Sequence, residues 1–202
     1  ALDSNSSGDQ NTAIGANSLT ALTGSNNNTG VGYNTLAATT GAKNVAVGST
    51  AMAANVNGSN AVAVGFGALD AQAPSTATDT YNVAVGYEAG GAVTSGTQNT
   101  YIGGLAGDAA TASVENVAVG YQALSADTLG SKNVAVGRMA LLSQNFTTAT
   151  TTYNTAVGYQ AGLAVTTGVE NTLIGSLAGA ALTDADYNVA VGRTALDSDT
   201  LG

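Results

Sequence analysis

The chain has 202 residues, with 27 Gly, one Pro and no Cys, His or Trp, and its 4 basic against 13 acidic residues give a formal charge of −9. The missing Cys and His exclude thiolate chemistry, an imidazole base and the zinc or haem sites those residues build, and four basic residues are too few to neutralise a nucleic-acid backbone. No apolar run approaches the roughly 18 residues of a membrane-spanning helix, whereas a hydrophobic content of 44% is too high for a disordered chain.

Internal self-similarity organises the rest. One phrase recurs: Asn, then Thr or Val, usually Ala, then Val or Ile, then Gly. In chain order it closes at Gly15, Gly32, Gly48, Gly65, Gly86, Gly103, Gly120, Gly137, Gly158, Gly175 and Gly192, in steps of 17, 16, 17, 21, 17, 17, 17, 21, 17 and 17 residues. It opens at Asn11, Asn28, Asn44, Asn82, Asn99, Asn116, Asn133, Asn154, Asn171 and Asn188; the copy at Ala61 lacks the Asn, with Asn60 one place early. An aromatic often follows the Gly (Tyr33, Phe66, Tyr87, Tyr121, Tyr159), replaced by Arg138 and Arg193 in two copies. Three places after the Gly stands a small residue, and next to it Leu, Met or Gly.

Within Asn44–Gly48 the side chains alternate, so Val45 and Val47 share one side and Ala46 takes the other, which is the pattern of a strand. Val and Thr favour strands, and the Gly lets the chain turn. A second short strand is expected through the aromatic, the small residue and the Leu. Each phrase then makes one coil. Eleven coils with parallel strands about 4.8 Å apart would span roughly 50 Å. The Val pair and the Leu are expected to form a thin core, and the Ala side to leave room for a second backbone. Tyr101 and Leu173 interrupt the Ala column and predict a local change of packing or a widened surface. The stacked Asn side chains are expected to bond from coil to coil or to their own turns, and Tyr87, Tyr121 and Tyr159 to lie where coils or chains meet. The fold class is all-β: a parallel β-roll or solenoid of about 11 coils of 17 residues, two of them extended to 21, as a single repeat domain over 1–202.

A longer period overlies the short one. Residues 81–130 read closely onto 153–202, a shift of 72. The two long steps carry Thr-rich loop insertions at 71–80 and 147–153, ending in Tyr81 and Tyr153; the only Pro, Pro74, lies in the first. These loops are the expected place for any specific partner contact. The chain stops inside a coil, from Asp197 to Gly202, which reads as a segment of a longer fibrous protein.

Little of the sequence suggests catalysis, which needs a positioned base, acid or nucleophile. Asp184 with Asp186, and Asp197 with Asp199, are conceivable carboxylate pairs but read as solvated acidic turns. Neither the twelve-residue calcium loop nor the Asp-bearing nonapeptide repeat appears. Asn27-Asn28-Thr29, Asn57-Gly58-Ser59 and Asn145-Phe146-Thr147 match the glycosylation pattern and read as turn composition. No catalytic, metal or cofactor-binding residues are assigned and no cofactor is expected.

The phrases NVAVG at Asn44–Gly48, NVAVGYQAL at Asn116–Leu124 and NTAVGYQAG at Asn154–Gly162 resemble the head repeats of trimeric autotransporter adhesins. They also resemble the repeat shafts that precede self-cleaving chaperone domains in phage tail fibres and bacterial surface fibres. The resemblance covers residues 8–202, although the adhesin repeat is usually nearer 14 residues than 17. It implies a left-handed roll, a homotrimer and an extracellular place on a bacterial surface or virion tail. The implied role is adhesion or spacing toward a protein or glycan receptor, without nucleic acid or membrane insertion. A monomeric solenoid that binds an extended lattice such as polysaccharide or ice is the alternative, and a glycan-cleaving spike a lesser one.

Overall fold

The structure, a computed structural model, describes residues 1–200; Leu201 and Gly202, the end of the interrupted last phrase, lie outside the described residues. In chain order the strands are β1 (Thr12–Ile14), β2 (Thr29–Val31), β3 (Val45–Val47), β4 (Gly58–Ser59), β5 (Val62–Val64), β6 (Thr78–Asp79), β7 (Val83–Val85), β8 (Thr100–Ile102), β9 (Val117–Val119), β10 (Gly130–Ser131), β11 (Val134–Val136), β12 (Thr150–Thr151), β13 (Thr155–Val157), β14 (Thr172–Ile174) and β15 (Val189–Val191). No helix occurs among the described residues.

Each three-residue strand is the middle of one phrase. Eleven of them form a single sheet in the order β1-β2-β3-β5-β7-β8-β9-β11-β13-β14-β15. Every pair is parallel, and like columns face each other: Val45 opposes Val62, Ala46 opposes Ala63 and Val47 opposes Val64. A phrase thus makes one circuit before it pairs with the next, and the chain is a parallel β-solenoid of about eleven turns. Backbone bonds continue past the strands. The Val117 amide donates to the Asn133 carbonyl at 2.8 Å, and the Gly137 amide donates to the Val119 carbonyl at 2.7 Å.

The two sides of the strand are the reverse of the expected ones. Ala46, Ala63, Ala84, Ala118, Ala135 and Ala156 have no exposed surface, whereas Val64, Val85, Ile102 and Ile174 are 36–40% exposed. The Ala column is the inner wall and leaves no room there for a second chain; the Val/Ile column points outward. The reason is width. The interior of a 17-residue circuit is filled by methyl groups on one wall, the small residue three places after Gly (Ala68, Ala89, Ala123) and the Leu beside it (Leu19, Leu36, Leu69, Leu124). Two further Val side chains per coil would not fit at the density of a protein interior.

The second strand is absent. Residues after each Gly form a run of tight turns in which the second and fourth positions are left-handed: Asn17 and Leu19 at φ 56° and 53°, Gln122 and Leu124 at 55° and 53°. These turns still bond between coils, with the Leu124 amide donating to the Ala140 carbonyl at 2.9 Å. A left-handed Leu costs about 1–2 kcal/mol of backbone strain, which complete burial of its side chain, at ~1.5–3 kcal/mol, offsets. Gly in the same column removes the strain but leaves a void.

That void explains the interruptions of the Ala column. Tyr101 lies in the wall between Gly90 and Gly107, and Leu173 between Gly162 and Gly179. A Cβ on Gly90 would stand 2.8 Å from Tyr101 Cδ2, and one on Gly107 would overlap the same ring. Both large side chains are fully buried: they fill the volume of missing Leu side chains and do not widen the surface.

The insertions are drawn into order. β6 pairs in parallel with β4, and β12 with β10, so each 21-residue step adds a two-strand patch beside the main sheet. Pro74 is buried, and its carbonyl accepts from Asn57 Nδ2 at 3.1 Å.

Candidate functional site: the asparagine spine and the outer face

The Asn column runs inside the solenoid as a spine of side-chain to main-chain bonds. Asn99 Oδ1 accepts from the backbone amide of Asn116 at 3.0 Å, and its Nδ2 donates to the Ser113 carbonyl at 2.9 Å. The same two bonds link Asn11, Asn28, Asn44, Asn82, Asn116, Asn154 and Asn171 to the following coil. Each Asn therefore satisfies one donor and one acceptor of a neighbouring turn that water cannot reach. Where the step lengthens, a Gln side chain joins the spine. Asn82 Nδ2 donates to Gln72 Oε1 and Asn154 Nδ2 to Gln144 Oε1, both at 2.9 Å. These groups are occupied structurally and face no groove.

The Gly column stacks beside the spine at φ 116–142°. At Gly120 a Cβ would lie 2.5 Å from the Gly137 carbonyl oxygen, so the Gly is required by neighbour approach as well as by backbone conformation.

One buried carboxylate was missed by sequence reasoning. Asp127 is 2% exposed. Its Oδ1 accepts from the amides of Gly130 at 3.0 Å and Phe146 at 3.1 Å, and its Oδ2 accepts from Gln144 Nε2 at 2.6 Å. Burial pushes its carboxyl above the usual range, and these hydrogen bonds oppose the shift only in part. Asn55 stands 72 residues earlier and accepts from the Gly58 amide at 2.9 Å. There the buried Nε2 of Gln72 has no hydrogen-bond partner. The long period in the sequence marks this equivalence. The inferred carboxylate pairs, in contrast, are exposed. Asp184 accepts from its neighbour Thr183 at 3.0 Å, Asp186 from the Val169 amide at 2.8 Å, and Asp197 from Ser198 at 3.2 Å.

The outer face carries two features along the axis. The first is the Val/Ile column, continuous through all eleven strands. The second is the row that follows each Gly. Phe66 and Tyr87 stack with centroids 5.6 Å apart and planes 10° from parallel. The Arg138 guanidinium sits between the rings of Tyr121 and Tyr159, at 5.9 and 5.7 Å. Tyr87, Tyr121 and Tyr159 are 46–54% exposed, so each ring covers a neighbouring coil with one side and meets solvent with the other.

The chain matches no protein-family model, no curated protein and no solved structure.

Proposed function

We propose that this solenoid is a non-enzymatic structural or adhesive segment of a trimeric extracellular fibre, spacing or mediating attachment to a cell surface from a bacterial envelope or a virion tail. The observation that carries the reading is the outward Val/Ile column. A strip roughly 50 Å long and 10 Å wide exposes about 500 Å² before the aromatic row is added. That is already at the upper end of what a monomer leaves open. The identical spacing of the columns lets a second and third copy lie alongside in register. The docking side is thus the Val/Ile side, not the Ala side that the sequence suggested. The repeat phrases shared with trimeric adhesin heads and fibre shafts support the same reading.

Sedimentation equilibrium tests it. The expected mass is three times 19.5 kDa, and Val85→Lys, which places a charge in the middle of the strip, should lower it to a single chain while the β-type circular dichroism persists. A native mass of one chain would overturn the trimer and return the lattice-binding monomer.

A further inference from the structure

A groove opens on the outside of the rod. It has a volume of about 440 Å³ and opens between Phe66, Asp70, Glu88 and Asp108, with Gly67 and Gly91 among its lining. The 72-residue period supplies an internal comparison. The equivalent positions in the second frame are Arg138, Leu142, Gln160 and Ala180, with Met139 and Leu163 in place of the two glycines. Strands β11, β13 and β14 pair there in the same register as β5, β7 and β8. The coil therefore demands neither the three acids nor the two glycines. Together they charge this space, whereas the second frame carries larger side chains in place of both glycines and no acid at the equivalent positions.

The chemistry of the lining is one-sided. Its three carboxylates are acceptors, and none of the chain's four basic residues lines the groove. Burial, reinforced by the charge of Glu88, raises the Asp70 and Asp108 carboxyls above their usual range. The ligand must bring donors, and a positive charge relieves the repulsion among the acids. Phe66, stacked on Tyr87, offers an aromatic surface beside the acids. In the second frame the position equivalent to Phe66 already holds a cation against rings of the same row: Arg138, between Tyr121 and Tyr159.

We infer that the groove binds an organic cation, an ammonium or guanidinium on a carbon chain, with the chain against Phe66 and the charge among Asp70, Glu88 and Asp108. The ligand is either a free amine or a basic side chain of another polypeptide.

Saturation-transfer NMR and titration calorimetry on the full chain test this with N-butylguanidinium, its neutral isostere N-butylurea, and a blocked Ala-Arg-Ala peptide. Binding of N-butylguanidinium, weakened by salt, with N-butylurea at least tenfold weaker, is the expected result. A peptide that binds more tightly than the small cation assigns the site to a polypeptide, and an equal affinity assigns it to free amines; both support the inference. Glu88→Gln should weaken binding about tenfold, equivalent to ~1.4 kcal/mol. The triple variant Asp70→Leu, Glu88→Gln, Asp108→Ala carries the second frame's residues at these three positions, so it should stay folded, with a melting temperature at pH 7 no lower than that of the parent chain, and lose binding. N-butylurea or methyl glucoside binding as tightly as the cation would overturn the inference. So would unchanged binding by the triple variant.

Discussion

The Gly that closes each phrase is under two separate constraints, and two of its copies separate them. Gly120 has φ 134° and faces the Gly137 carbonyl, whereas Gly192 has φ 126° and, among the described residues, no atom within 4 Å of where a Cβ would lie. Ala at position 192 meets backbone strain alone, about 1–3 kcal/mol. Ala at 120 meets that strain and must also push the next coil away, so Gly120→Ala should cost at least ~3 kcal/mol, at the severe end of single substitutions. Denaturant titration of the two variants measures the difference; equal losses would show that conformation alone sets the column. Size matching between the strand wall and the column three places after Gly takes a polar form at Gly30, where a Cβ would collide with Ser18 Oγ. That hydroxyl instead donates to the Gly30 carbonyl at 3.0 Å and accepts from Thr35 at 2.9 Å.

At the scale of the coil, the interior is a set of exchangeable solutions to one volume. Five of the eleven phrases pair a wall Ala with Leu in the fourth place after Gly, and Ala46 pairs with Met52; Tyr101 instead stands on the wall against Gly90 and Gly107. Tyr101 is buried, which pushes its hydroxyl up to about 12, and the hydroxyl lies 3.4 Å from Ser113 Oγ. Tyr101→Ala should open a cavity and cost about 3–5 kcal/mol. Gly90→Leu and Gly107→Leu added to that variant restore the ordinary phrase and should recover most of the loss, whereas the two Leu substitutions with Tyr101 retained should destabilise by overpacking. Thermal melts of the three variants check the cycle. Additive losses without rescue would show that the wall and the Leu column do not share one space.

At the scale of the molecule, stability rests on stacking, because a single coil buries too little apolar surface to offset its own ordering entropy. The charge balance adds a pH dependence opposite to ordinary acid denaturation. Burial holds the Asp127 carboxyl above its usual range in the folded state. The native chain therefore keeps that proton more tightly than the unfolded chain. Stability from this group is fully present below the unfolded pKa and declines as pH rises through the window up to the raised folded value. Asp70 and Asp108, half-buried, act in the same direction, and a formal charge of −9 adds repulsion. The melting temperature should be higher at pH 4 than at pH 7, and Asp127→Asn should flatten the slope. A melting temperature that rises from pH 4 to pH 7 would contradict this account.

The period, the strand in each phrase, the parallel stacking and the two extended coils were all legible in the residues, because every one of them is a consequence of spacing. A strand is recognised by alternation and a solenoid by recurrence, and both survive without any knowledge of distance. Which side of the strand faces inward was not legible: Val45-Ala46-Val47 alternates equally well with either side buried. That choice belongs to the width of a 17-residue circuit, which the tight left-handed turns at the second and fourth places after Gly determine. The same turns replaced the expected second strand, since a Leu column gives no sign of its backbone hand except by exchanging with Gly at 90, 107, 162 and 179. Tyr101 stood out in the sequence as a departure from the repeat, whereas Asp127 and the acids of the groove carried no such mark. Only the closed coil, by bringing residues 17 or more positions apart into contact, assigned one to the filling of a void, one to a buried hydrogen-bond network and the last to an open surface.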